Sequence, residues 1–383
     1  VHPSVYINSV AMSDVVKTSP VDIVTLAAKA GAECLGHFDP LEIDAVIIAN
    51  MLGGKSSSQR LLGSLVAARL GCLRAETFRI ESACGSGGSA IRNAFLAIKS
   101  GEVKSALVIG VEIMSTIPKT EIARELATAS DWASEGSRGD SFVTLNSRLM
   151  AEYIRRYGVD PEDFGVFALN AHHNAVTTPH ALFKKAYSTQ DYAASRKLEG
   201  PMRLLDASPI CDGCCAVLLS DRHRPSRRRS VRIAASAAAN QEVAIDRKDD
   251  LLRMRAIEHS TRKALSMARI KRADLDFFEP HDAYTIMTAL SLESAGFAAP
   301  GQALAFARAG GIGIDGAVPI CTMGGLKARG HAVGATGVYQ VAEAYQQLLD
   351  RAGQNQVKNA NVCLTQNVGG CGSSATTHVI MGD

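Results

Sequence analysis

The chain has 383 residues, long enough for two or three domains with sizeable cores. Its net charge of +3 is too small to imply nucleic-acid binding, and no stretch is long and apolar enough to span a bilayer. Nine cysteines scattered without a framework suggest a reducing compartment, and no secretory signal is visible in a chain that begins at Val1.

Apolar runs alternate between strand and helix periods. Ala45 to Ala49 reads as a buried strand and Leu61 to Leu70 as a helix. Thr77 to Cys84 is extended, Ser89 to Ile98 helical, and Ser105 to Val111 a strand. From Ser115 to Ser208 the pattern loosens into a polar excursion, with helices predicted at Arg148 to Arg156 and Pro161 to Ala175. Asp160-Pro161-Glu162-Asp163 is a helix start, with Asp as N-cap, Pro at the first position and acids in the first turn. Long excursions of this kind usually carry binding function.

Cys211, Cys214 and Cys215 form a C-x-x-C-C cluster. No second Cys or His pair at zinc spacing accompanies it, and it runs into the strand pattern Ala216 to Leu219, so no metal site is expected. Arg222 to Arg229 gathers positive charge and reads first as a solvated linker, then as a phosphate or membrane patch. The second half repeats the order of the first. Leu251 to Met267 is helical, Leu275 to Glu279 extended, and Tyr284 to Ser294 and Val338 to Leu349 helical. Asn361 to Gln366 and Ala375 to Met381 are strands. Glycine turns at Gly85 to Gly88 and Gly330 to Gly337 precede corresponding helices, which implies duplication of one α/β unit. The expected boundaries are 1–114 for the first part of an N-terminal half, 115–208 for a loop domain, 209–245 for the completed half and linker, and 246–383 for the C-terminal half.

Four motifs fall where strands end or helices begin. Glu81-Ser82-Ala83-Cys84-Gly85-Ser86-Gly87-Gly88 places a thiol at a strand-to-helix turn, where a helix N-terminus favours the thiolate. Glu279-Pro280-His281-Asp282-Ala283-Tyr284, Gly330-His331 with Gly334-Ala335-Thr336-Gly337, and Gln366-Asn367-Val368-Gly369-Gly370 are the others. A Cys, two His and a glycine turn supply a nucleophile, bases and N–H donors, although each His alone is more often structural.

Together these motifs resemble the thiolases. The His281-Asp282 pair and Asn367 resemble the sterol-carrier-protein type branch, where other thiolases carry Asn-Glu and a second reactive Cys. The resemblance covers nearly the whole chain, including Asp212-Gly213. It implies a thiolase fold: two α/β halves packed as a five-layered αβαβα core, with a loop domain over the site. It also implies CoA-dependent cleavage of 3-ketoacyl-CoA, or the reverse Claisen condensation, through an acyl-Cys84 intermediate and with no bound cofactor. By resemblance His331 takes the Cys84 proton, and the N–H groups of Cys84 and Gly369 form one oxyanion hole. His331 and a water held by His281 form the other. Asp282 is expected either to orient or polarise His281 or to cap the helix near Tyr284.

One departure stands out. The resembling branch has an acid/base Cys where this chain has Ala283, and Asn367 has no titratable proton either. Cys371 is an imaginable substitute but reads as core packing. Ala283 implies impaired turnover, through natural loss or through a deliberate Cys→Ala replacement, the intact remainder favouring the latter. Ala332, where the family usually has Pro, is a milder departure. His172, His173, Lys184, Lys185 and Arg203 lie in the excursion with few acidic neighbours, and Lys184, Lys185 and Arg203 are candidate CoA phosphate ligands. Acyl-CoA and CoA are the expected partners, with a homodimer formed through the strand Ser105 to Val111, no nucleic acid and no membrane span. The compartment implied is a peroxisome-like organelle or mitochondrion. The alternatives are a decarboxylating ketoacyl-synthase-like enzyme and a non-catalytic acyl-CoA binding protein.

Overall fold

The computed structural model describes residues 3–223 and 229–383, so most of the basic run before Ser230 lies outside the described residues. Nine strands form the frame: β1 (Tyr6–Met12), β2 (Ala45–Ala49), β3 (Glu76–Ile80), β4 (Ser105–Glu112), β5 (Gly213–Ser220), β6 (Val231–Asn240), β7 (Phe277–Glu279), β8 (Val362–Gly369) and β9 (Ser374–Gly382). They join in the order β3-β2-β4-β5-β1-β6-β9-β8-β7. The sheet is mixed: β2 runs parallel to β3 and β4, and β7 parallel to β8. The pairs β4/β5, β5/β1, β8/β9 and β9/β6 are antiparallel.

The sequence β2-β4-β5-β1 is parallel, antiparallel, antiparallel, and β7-β8-β9-β6 repeats that series. Within the sheet, the two halves join through the pair Tyr6 and Arg232 and the bond from Ile233 N–H to the Val5 carbonyl, 2.8 Å. This is the duplication expected from the glycine turns.

Three apolar layers hold the sheet halves and helices together. Helices Ser86–Ser100 and Thr336–Leu348 lie between the halves, with Ile91, Phe95, Val338 and Tyr345 in the central core. Ile23–Leu35 and Leu62–Leu70 cover the outer face of the N-terminal half. Arg255–Ala268 and Thr285–Ser294 cover that of the C-terminal half. The result is five layers in the order αβαβα. The central helices cross at their first turns, and only glycine permits it. A Cβ on Gly87 would lie 2.6 Å from Gly337 N, and one on Gly337 would lie 2.2 Å from Gly88 N.

The excursion between β4 and β5 carries the helices Phe142–Tyr157 and Gly165–Ala175. Asp160 caps a short 3-10 turn, Pro161–Phe164, that precedes the second. Tyr153, Phe164 and Phe167 pack with Ile286, Met287 and Leu290 of the C-terminal half. Cys211 to Cys215 run into β5, and all three thiols are buried, as a core strand requires.

One expectation is overturned here. The strand Ser105 to Val111 is not at an edge: β4 sits between β2 and β5 and is buried along its whole length. Its unbroken apolar run is the mark of a strand covered on both faces. The edge strand of that half is β3. No helix among the described residues is long and apolar enough to cross a membrane.

Candidate active site

β3 ends at Ile80, and the chain turns sharply before the helix Ser86–Ser100. Ala83 takes a left-handed φ of +51°. The turn is tied by Gly85 N–H to the Ser82 carbonyl at 2.9 Å, Ser86 Oγ–H to the Ala83 carbonyl at 2.6 Å, and Ser82 N–H to Ser86 Oγ at 2.9 Å. Such a strained turn in an L-residue persists only where neighbours over-determine it. Here it delivers Cys84 to the wall of a cavity of about 70 Å³.

Both histidines reach the same cavity. His281 follows β7, on a turn clamped by Gln340, whose Nε2 donates to the carbonyls of Glu279, Pro280 and Gln366 at 3.1, 2.8 and 3.0 Å. His331 follows Gly330, whose φ of +117° suits only glycine. Donor atoms of Cys84, His281 and His331 all lie within 4.8 Å of one another, and the two imidazole rings meet edge to face at 5.1 Å. That spacing serves proton exchange, and it would also suit a zinc ion.

Asn367 ties the two halves at this point. Its Oδ1 accepts from Gly88 N–H at 2.8 Å, so its Nδ2 is the donor to the Cys84 carbonyl at 3.0 Å and to His281 Nδ1 at 3.2 Å. His281 Nδ1 is therefore an acceptor, and the neutral ring carries its proton on Nε2. The ring is neutral because burial pushes its pKa down to about 4, against the opposing charge of Asp282. His331 Nδ1 bonds Thr336 Oγ1 at 2.7 Å. With Nδ1–H donating there, Nε2 is free to accept the Cys84 proton. Burial, then the neighbouring His281 and Arg329, hold His331 far below its ordinary value.

Two further expectations change. Cys84 does not rest as a thiolate: burial first, then the Glu112 charge, pushes its thiol up to about 12. The resting pair is thiol and neutral imidazole, and the proton moves when the acyl carbon is attacked. Asp282 neither orients His281 by a hydrogen bond nor caps the next helix, whose N-cap position Tyr284 has no side-chain bond. Burial opposes its charge, but Lys327 Nζ at 2.9 Å and Leu326 N–H at 2.7 Å hold Asp282 below its ordinary range. Lys327 also reaches the Asp282 carbonyl at 2.9 Å and Thr288 Oγ1 at 3.1 Å, so a wholly buried ammonium is satisfied. This ion pair fixes the turn that presents His281. Nothing in the sequence singled out Lys327, because a buried lysine reads as a surface one until its neighbours are known.

Glu112, at the end of β4, clamps the His331 loop. It accepts from Met51, Leu52 and Gly334 N–H at 2.8, 3.0 and 3.1 Å and from Asn50 Nδ2 at 2.8 Å. Gly369 N lies 3.2 Å from where a Cβ on Gly85, the residue after Cys84, would stand. Ala283 lines the cavity with its methyl group, and Ala332 is wholly buried. Cys371 is buried behind the lining residues Asn146 and Gly370, with Asn146 Nδ2 3.6 Å from its sulfur and its thiol pushed up to about 12 by burial.

The candidate CoA ligands lie outside this cavity. Lys184 Nζ bonds the Pro179 carbonyl at 2.7 Å, Lys185 sits 4.9 Å over the Tyr187 ring, and Arg203 pairs with Glu162. His172 is buried against Phe183 and Tyr187, and its pKa falls to about 4 through burial; His173 is exposed.

Comparison with known proteins decides the family. Residues 5–223 match the model for "Thiolase, N-terminal domain", and residues 237–382 match "Thiolase C-terminal domain-like". The chain belongs to the thiolase family. It is 34% identical to the acetyl-CoA acetyltransferase of Methanothermobacter thermautotrophicus, over 94% of this chain and 93% of the relative. It is 24% identical to sterol carrier protein 2 of Gallus gallus, over 99% of this chain and 72% of that protein. Among solved structures, a "Ltp2-ChsH2(DUF35) aldolase" superposes with a TM-score of 0.87 at 20% identity, covering 100% of this chain and 98% of that one, a likeness of fold. As a thiolase, the protein is an acyltransferase that acts on CoA thioesters without a cofactor.

Proposed function

We propose that this thiolase is a 3-ketoacyl-CoA thiolase of the sterol-carrier-protein type, working through an acyl-Cys84 intermediate. The observation that carries the reading is the convergence of Cys84, His281 and His331 within 4.8 Å on one cavity wall. In cleavage, Cys84 attacks the ketone carbon of the substrate while His331 Nε2 takes its proton. The Cys84 and Gly369 N–H groups receive the oxygen charge on that carbon. The other oxygen, on the thioester that leaves as an enolate, meets the Nε2–H of neutral His281, directly or through a water. A neutral imidazole donor suits this role, because it gives a hydrogen bond without surrendering its proton.

Lys184 and Lys185 remain the candidates for the CoA phosphates, which sit far from the reacting thioester and so need not touch the cavity. The missing thiol at 283 predicts turnover slower than acylation. We also propose a homodimer, through β3 rather than β4. β3 pairs only with β2, and Phe78 on it and Leu61 and Leu65 beside it are exposed.

The test is acylation. On incubation with acetyl-CoA, intact mass spectrometry should find one acyl group, and peptide mapping should place it on Cys84; C84A should remain unmodified. A protein that binds acetyl-CoA without acylation would be a binding protein instead. Consumption of malonyl-CoA with release of CO₂ would mark a decarboxylating enzyme.

A further inference from the structure

Carbon–carbon cleavage leaves an enolate that must gain a proton, and the groups considered so far are all occupied or inert. Ala283 has none to give. The Asn367 amide is spent on Cys84 and His281, and His331 serves the nucleophile. Cys371 does not line the cavity, and Lys248 and Asn146 hold its carbonyl and sulfur in place.

Tyr284 is different. It follows Ala283 directly, is only partly buried, and lines the cavity that holds Cys84. Its hydroxyl makes no hydrogen bond among the described residues, although a phenol enclosed in a protein usually finds a partner. Its backbone, by contrast, is pinned. Tyr284 pairs with Ala207 across to the excursion, Ser208 N–H donates to the Ala283 carbonyl at 2.9 Å, and the Tyr284 carbonyl accepts from Thr288 N–H at 3.1 Å. The side chain is thus anchored at its root and polar at its free end, in the cavity that Cys84 also lines.

We propose that the Tyr284 phenol is the proton carrier at the substrate α-carbon, in place of the thiol that position 283 lacks. The proposal rests on the thiolase reading above. As the bond between the α-carbon and the ketone carbon breaks, its electron pair passes to the enolate, and the phenol O–H gives its proton to the α-carbon. Acetyl-CoA leaves, and Tyr284 is a phenolate. The incoming CoA thiol returns a proton to that phenolate, the CoA thiolate attacks the acyl carbon and expels Cys84 as a thiolate, and His331 gives back to Cys84 the proton it took at the start. Protons balance over the cycle, with no further reactant. Burial first, then the Cys371 and Cys84 sulfurs, raise the phenol above its ordinary value. A less acidic phenol still protonates a far more basic carbon, and its phenolate is a strong base towards a thiol.

Y284F removes the oxygen and keeps the ring, so the cavity shape survives. Acylation of Cys84 by acetyl-CoA should continue in Y284F, because that half-reaction moves no α-proton. Thiolysis of acetoacetyl-CoA should fall by about 10²–10⁴-fold in kcat, the usual loss for a general acid/base. Adding A283C to Y284F should recover at least about tenfold. C371S alone should leave thiolysis unchanged. Y284F within about threefold of the parent rate, or a collapse of thiolysis in C371S, would overturn the proposal. If the parent protein is never acylated at Cys84, the thiolase reading itself fails, which is a separate and earlier result.

Discussion

Replacing Asn367 by Asp changes one atom and inverts the hydrogen-bond logic of the site. Asn367 Nδ2 donates to His281 Nδ1 at 3.2 Å, which keeps the imidazole proton on Nε2, facing the cavity. A carboxylate cannot donate, so in N367D the imidazole proton moves to Nδ1 and Nε2 becomes an acceptor. The oxygen charge loses a donor, at a cost of about 10²–10³ in kcat, or about 2.7–4 kcal/mol. Gly88 N–H keeps its acceptor, but the Cys84 carbonyl loses its donor, costing about 1–3 kcal/mol of stability. The carboxylate also stabilises the imidazolium, so the His281 pKa rises from about 4. An imidazolium carries protons on both nitrogens and restores the Nε2 donor. The ratio of N367D to parent kcat should therefore climb as pH falls from about 9 to about 6. Steady-state thiolysis across that range, with ¹⁵N shifts of the His281 ring, measures both effects. A variant within threefold of the parent at every pH, with His281 still protonated on Nε2, would refute the reasoning.

Access rather than acidity should select the reactive thiol. Cys84 alone among the nine cysteines is partly exposed, so limiting iodoacetamide should label it first, at a rate that rises with pH up to at least about 9 because the thiol is pushed up to about 12. A rate flat above neutrality would mean a resting thiolate. Glu279 is buried, and its pKa rises to about 8 through burial and then the Glu343 charge. The folded state then holds a proton that the unfolded state has lost between about pH 4.5 and about pH 8, so stability falls as pH rises through that window. Tm should drop from about pH 6 to about pH 9, and less in E279Q; identical slopes would exclude Glu279 as the source. F78R should break the β3 contact, where a buried aromatic anchor is worth about 2 kcal/mol or more. Light scattering should give twice the 40.5 kDa chain mass for the parent and less for F78R, and a monomeric parent would contradict the dimer.

The periods of the apolar runs and the glycine turns were enough to place most strands and helices, because both are local. Ala45 to Ala49 agrees residue for residue with β2, and Gly85 to Gly88 and Gly330 to Gly337 open the helices that cross at the centre. β1 (Tyr6–Met12), β6 (Val231–Asn240) and the helix Ile23–Leu35 escaped notice, since short or alanine-rich segments gain their identity from pairing and packing. Cys84, His281, His331 and Asn367 were legible as motifs, each beside an element end. Their meeting was decided by tertiary structure, as was the state of each. Burial turned an expected thiolate into a thiol, and the Asn367 amide fixed the His281 tautomer. Asp282 shows the same limit most plainly. Its neighbour in sequence is His281, but its partner is Lys327, which is 45 residues away in sequence, and long-range electrostatic pairing leaves no local trace. Sequence determined which chemistry was present; packing determined which atoms face one another, and therefore which proton moves.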